Sequence, residues 1–257
     1  MAQWTPFPHA GDYAFDAASL TKNWSCLHQG DCEPLPADAA VLQAWVLFHN
    51  GEFQQAAQAG LKAGGDGITV ANKATCIYAN YLEGKEQTRF DLFLQAARQA
   101  EAQQAAEPQN ANAWFWQAYA LGRYSQAISV AKALAQGLGS QVKTALEQTI
   151  KLSPRHADAH IALGAFHAEV IDKVGLLIGG MTYGAKKGIG LALFKEALRL
   201  NPGSAVAMTE YAKGVIMLEG DKAMDQANRL YEQAAACECM DAMQRLDVEM
   251  ARVELQD

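Results

Sequence analysis

The stretch Ala157-Asp-Ala-His160-Ile-Ala-Leu163-Gly164-Ala-Phe-His167, continued by Gly190-Leu-Ala-Leu-Phe194-Lys-Glu-Ala197-Leu-Arg-Leu-Asn-Pro202, decides the fold. In its first half a large residue is followed by Leu at +3, Gly at +4 and another ring at +7. In its second half a small residue is followed by an aromatic at +4, Ala at +7 and Pro at +12. These are spacings of one face of an α-helix. Small residues where two helices cross let the backbones approach, and the large ones fill the holes beside them. A helix pair of this kind cannot bury its apolar face alone, so it requires stacked neighbours.

The neighbours are present. Ala111 to Pro154 supplies Trp114, Ala118 and Leu121, then Val142, Leu146 and Thr149; the unit after Pro202 supplies Met208, Tyr211, Ala212 and Val215, then Ala227, Tyr231 and Ala234. Nearer the N-terminus, Ala40, Ala44 and Leu47 precede Asn50-Gly51-Glu52-Phe53, followed by Ala56 and Ala63. A fifth pair spans Ile68 to Pro108, its phase ambiguous among Ala74, Ile77 and Ala79. The pattern matches the tetratricopeptide (TPR) helix-turn-helix of about 34 residues. Pro108, Pro154 and Pro202 are 46 and 48 residues apart, so two units are lengthened. The excess falls between first and second helices, around Arg123 to Ser140 and Ala168 to Ile189, and the two insertions are expected as neighbours on one edge. The expected fold is all-α: a right-handed α-solenoid of about five TPR-like helix pairs over residues 36–239. Residues 1–35, with Pro6, Pro8 and Pro34, read as an N-terminal strap and short helix, and residues 240–257 as a C-terminal capping helix.

Composition agrees and excludes several roles. Of 257 residues, 50% are hydrophobic, enough for a sizeable core, and alternating β-branched runs are missing. Lys and Arg number 21 against 28 Asp and Glu, a net charge of −7 without a basic run, which argues against nucleic acid. No apolar stretch approaches the roughly 18 residues of a membrane span. Five cysteines, sparse and odd in number, fit a reducing compartment, and with an N-terminus lacking a signal-like apolar region the expected location is cytoplasmic.

The lengthened repeats, their glycine-rich crossings and the run Phe194 to Pro202 resemble the TPR domain of the regulator of microtubule dynamics family, over roughly residues 111–236. The chain also resembles TPR proteins that accompany TRAP-type solute transporters in bacteria. Stretches such as Arg123-Tyr124-Ser125-Gln126 and His156-Ala157-Asp158-Ala159-His160 resemble an uncharacterised bacterial TPR-like group. These resemblances imply a helical binding fold and, for the latter two, a bacterial source.

Candidate sites follow from helical geometry. First-helix residues facing the concave side are Val41, Trp45, Phe48 and His49; Asn112, Phe115, Tyr119 and Arg123; Asp158, Ile161, Ala165 and Glu169; and Thr209, Lys213 and Met217. Chaperone-binding repeat proteins grip a terminal carboxylate with Lys and Asn on these faces. Here Phe115, Tyr119, Ile161 and Ala165 stand there, which disfavours a chaperone tail. Trp45, Phe115, Tyr119, Arg123, Asp158, Glu169 and Lys213 are therefore expected to contact a protein or peptide partner, the aromatics supplying burial and the charges orientation, unless the N-terminal strap partly covers Trp45 and Phe115. The alternative is a small amphipathic ligand carried between the insertions, against Tyr124, Leu177, Met181 and Tyr183.

His156, His160 and His167 share a helix face, with Asp158 and Glu169 nearby, a spacing suited to metal, yet two of them occupy slots normally filled by packing rings. Cys237-Glu-Cys239 and Cys26, His28 and Cys32 lack the two-residue spacing of a zinc site and read as buried free thiols. The six glycines between Val174 and Gly190 follow no strand and do not match a phosphate loop. No nucleophile with a base stands out, so no catalytic residue, metal or cofactor is assigned.

Overall fold

The computed structural model describes residues 3–255, and all regular structure among them is helical. The chain divides into two compact units. The first comprises the described residues up to His28, Glu33–Leu152 and Met240–Met243; the second comprises Gln29–Cys32, Ser153–Cys239 and Gln244 onward.

In the first unit, α1 (Ala17–Leu27) is followed by α2 (Ala39–His49), α3 (Phe53–Ala63), α4 (Gly67–Tyr81), α5 (Glu86–Ala106), α6 (Ala111–Gln126), α7 (Val130–Ala135) and α8 (Leu138–Leu152). Three hairpins result, α2 with α3, α4 with α5 and α6 with α8, while the first helices pack in a row, α2 on α4 on α6. The starts are set by side-chain caps: Asp16, Asp38 and Asn110 accept backbone N–H groups of α1, α2 and α6. Gly60 and Gly67 form the α3–α4 crossing, where a Cβ on Gly60 would stand 2.4 Å from the Gly67 carbonyl oxygen. Every residue of α4 from Thr69 to Ala79 is buried. That explains the ambiguous phase of this segment: Ala74, Ile77 and Ala79 are all interior, so no exposed face marks the period. The first insertion is a turn, the short α7 and a second turn at Gly137, whose φ is +64°.

In the second unit, α9 (Ala157–Tyr183) precedes α10 (Lys187–Leu200), α11 (Ala205–Glu219), a 3-10 turn at Gly220–Ala223, α12 (Met224–Ala235) and, from Gln244 onward, α13 (Ala242–Glu254). The second insertion prolongs the first helix of its hairpin: α9 breaks at Gly175 (φ +82°) and resumes to Tyr183 before the chain returns along α10. Phe194 sits at the centre, stacked on Tyr211 at 5.1 Å. Its ring fills the space that glycines leave, since a Cβ on Gly164 would come within 3.1 Å of it and one on Gly214 within 2.4 Å. Val215, Ala227, Tyr231 and Ala234 extend this core, and α13 covers its end with Val248 and Ala251.

Candidate partner-binding surface

The residues that helical spacing assigns to a groove fall in both units. Trp45, Phe115, Tyr119 and Arg123 are in the first, and Asp158, Glu169 and Lys213 in the second.

In the first unit the expected exposed aromatics are core. Trp45 is 0% and Phe115 3% exposed. Trp45 is covered by the N-terminal helix: the Trp24 ring stands edge-on to it at 5.8 Å and His28 at 4.8 Å. Helical periodicity does not say whether a preceding segment folds onto such a ring; for Trp45 it does. Tyr119 and Arg123 remain half-buried, the guanidinium lying 5.3 Å over the phenol ring. Tyr124, assigned to a pocket wall, is buried against Phe90, with the Lys132 ammonium 5.7 Å over its ring.

In the second unit Asp158 is also engaged by the chain's own N-terminal segment. Its N–H donates to the Gly30 carbonyl at 3.0 Å, and its carboxylate lies so near that a Cβ on Gly30 would stand 2.5 Å from Oδ1. Glu169 faces Lys173 at 3.7 Å and Lys213 pairs with Glu254 at 2.7 Å. Beyond the Gly175 break, Leu177 and Met181 are 76% and 82% exposed, whereas Tyr183 packs edge-on against Phe166. The three histidines have structural partners. His156 caps α9 by accepting from the Ala159 N–H, His160 Nε2 meets the Pro154 carbonyl, and His167 Nδ1 accepts from the Lys186 N–H. Among the described residues no group of three or more His, Cys, Asp or Glu is placed to hold a metal.

The thiols differ from the expectation of burial: Cys26 and Cys32 are exposed, Cys237 and Cys239 half-buried, and Cys76 fully enclosed. Desolvation pushes Cys32, Cys76 and Cys237 upward, which keeps them as thiols.

A cluster on the inner row of the first unit escaped the sequence reading. His49 Nδ1 meets Asp241 Oδ2 at 2.6 Å and its Nε2 faces His28 Nε2 at 3.2 Å, all three side chains buried. One of the facing nitrogens carries the hydrogen and the other accepts it. Trp24 stacks on His28 at 4.1 Å and donates from Nε1 to the Glu33 carbonyl at 2.8 Å. The Glu33 carboxylate in turn accepts from Asn112 Nδ2 on α6 at 2.5 Å. Between α2 and α6, the Lys73 ammonium of α4 lies 5.5, 5.2 and 5.9 Å from the ring centres of Trp45, Phe48 and Trp116. One signal was available, a Lys amid the small and apolar residues of α4; its partners are remote in sequence and gave none.

A cleft of about 600 Å³ opens elsewhere in this unit, between the N-terminal strap and the α2–α3 turn. Phe7, Tyr13, Phe15 and Phe53 line it together with Asn50 and Glu52.

A family model described as regulator of microtubule dynamics protein 1-3 matches residues 49–174. The matched stretch starts before the lengthened repeats and ends short of the run Phe194 to Pro202 that carried the resemblance in the sequence. Among solved structures, a thermophilic TPR protein of Thermus thermophilus is similar with a TM-score of 0.58 and 17% identity, over 83% of this chain and 97% of that one. No curated protein matches the sequence. The chain is a TPR-like protein, with TPR helix hairpins as its fold.

Proposed function

We propose that this chain is a non-catalytic binding protein that recognises a peptide or helix of a partner protein on the inner faces of its hairpins. A TPR-like fold suggests a protein-interaction scaffold. The observation that carries the finer reading is α1. A helix of the chain itself lies on α2, anchored by Trp24 and His28 against Trp45, so this face seats a helix. Tyr119 and Arg123 in the first unit, and Asp158, Glu169 and Lys213 in the second, are the groups we assign to a partner. The five free cysteines support a cytoplasmic setting. In a pull-down followed by mass spectrometry, Tyr119→Ala with Arg123→Ala loses the partners that the wild type retains, at unchanged helicity by circular dichroism. Retention of every partner refutes the groove.

A second reading, a carrier of a small amphipathic ligand, draws on the aromatic cleft at the strap. Native mass spectrometry of freshly purified protein decides it: a co-purifying small mass supports the carrier, and bare protein removes it.

A further inference from the structure

The inner row of the first unit is built around charge. Lys73 lies in mid-helix on α4 and is 4% exposed, framed by the rings of Trp45, Phe48 and Trp116. Aromatic faces attract an ammonium but do not replace its water; a buried cation needs an anion and hydrogen-bond acceptors. Among the described residues, two buried carboxylates belong to this unit, Glu33 and Asp241. Asp241 is held by His49. Glu33 reaches the row from the segment between α1 and α2, its carbonyl tied to Trp24 and its carboxylate to Asn112. The row also offers more donors than this segment uses. The indole N–H groups of Trp45 and Trp116, in two of the rings that frame Lys73, and the Asn72 amide are buried without a hydrogen-bond partner among the described residues.

The occupant itself looks like a bound peptide. Glu33 is buried, whereas Pro34 and Leu35 are exposed, Leu35 at 48%. Within Cys32 to Leu35, Glu33 is thus the one buried residue, tied through its carbonyl and its carboxylate as the anchor of an extended peptide is, while Gly30 upstream is tied separately to Asp158.

We infer that the face formed by α2, α4 and α6 is a binding site for an acidic peptide segment, with Glu33 as its resident occupant. Lys73 and Asn112 read the carboxylate, and Trp45 and Trp116 wall the seat. An acidic partner segment binds by taking the place of Glu33. Because the occupant is tethered, it competes at high effective concentration and lowers the apparent affinity for any incoming segment.

The test uses a dye-labelled synthetic peptide with the sequence of His28 to Ala37, Ser replacing Cys32, and fluorescence anisotropy on the full chain. Glu33→Ala protein binds this peptide at least about tenfold tighter than wild type, since its own occupant no longer competes. Replacing the peptide's Glu by Gln weakens binding about tenfold or more. Asn112→Leu in the Glu33→Ala background abolishes it. Equal affinity for the Glu and Gln peptides, or no saturable binding to a Glu33→Ala protein of native helicity, overturns the inference. Removing Glu33 can unfold the chain by stranding Lys73, so a second measurement stands on the wild type. Millimolar Glu peptide raises hydrogen exchange over residues 16–36 and the Gln peptide does not; identical exchange with both overturns the inference.

This inference rests on the partner-binding reading above but fails separately from it. Acidic-peptide binding with partner capture indifferent to Tyr119 and Arg123 sinks the groove alone. Capture that depends on Tyr119 and Arg123, without acidic-peptide binding, sinks the acidic seat alone.

Discussion

The two units solve the same packing problem with different materials. In the second, large and small residues interlock: Phe194 fills what Gly164 and Gly214 leave open, and the buried histidines bond to nearby backbone. In the first, the α3–α4 crossing also uses glycine, but the inner row relies on pairs of polar side chains, His28 with His49, His49 with Asp241, and Glu33 with Asn112. Apolar interlocking is nondirectional and favours one shape. Paired polar groups can exchange one partner for another of the same chemistry, which suits a surface that must release what it holds.

The largest effect that bears on this contrast is expected at Phe194. Phe194→Ala removes a ring of α10 that packs against both α9 and α11 and should cost about 3–5 kcal/mol, read as a lower midpoint in urea. A loss below about 1 kcal/mol would mean that the second unit does not depend on its interlock. Trp24→Ala should cost less, about 2 kcal/mol, because α1 can detach locally while the hairpins stay folded. Hydrogen exchange should rise over residues 16–36 and stay low in α4; a global rise would make α1 part of the core instead of an occupant of it.

The smallest effect concerns surface charge in the second unit. Lys187 and Lys222, each 2.8 Å from Glu219, hold its carboxyl well below its ordinary value of 4.5, at about 2. A depressed carboxyl favours the folded state above its unfolded value. That contribution is complete above pH 4.5 and disappears as pH falls towards 2. The carboxylate and its lysine partners remain in reach of solvent, whose screening keeps the change in stability small. The stability difference between wild type and Glu219→Gln should therefore shrink across that window, and a difference independent of pH would contradict the pairing.

How much of this was legible follows from the same contrast. His160, Gly164, His167, Gly190, Phe194 and Ala197 announce themselves because a helix repeats its contacts every three or four residues, and the hairpins that they build are local. The inner row of the first unit joins His49 to Asp241 across 192 residues and Glu33 to Asn112 across 79. No spacing rule relates such positions. The exposure of Trp45 and Phe115 was left open between a bare groove and cover by the N-terminal strap, because for Trp45 burial depends on where Trp24 and His28 come to rest. Leu177 and Met181 were expected to wall a pocket between the insertions; they stand bare, and the break at Gly175 that sets them apart rests on one backbone angle.

The Phe194 ring makes three positions a single heritable character. A chain that acquired a side chain at 214 would collide with the ring, and one that lost the ring would leave an empty hole beside two glycines. Neither step is tolerable first, so descent through this lineage should carry Phe194, Gly164 and Gly214 together or exchange them together, a lock on the path of change rather than on the folded state alone.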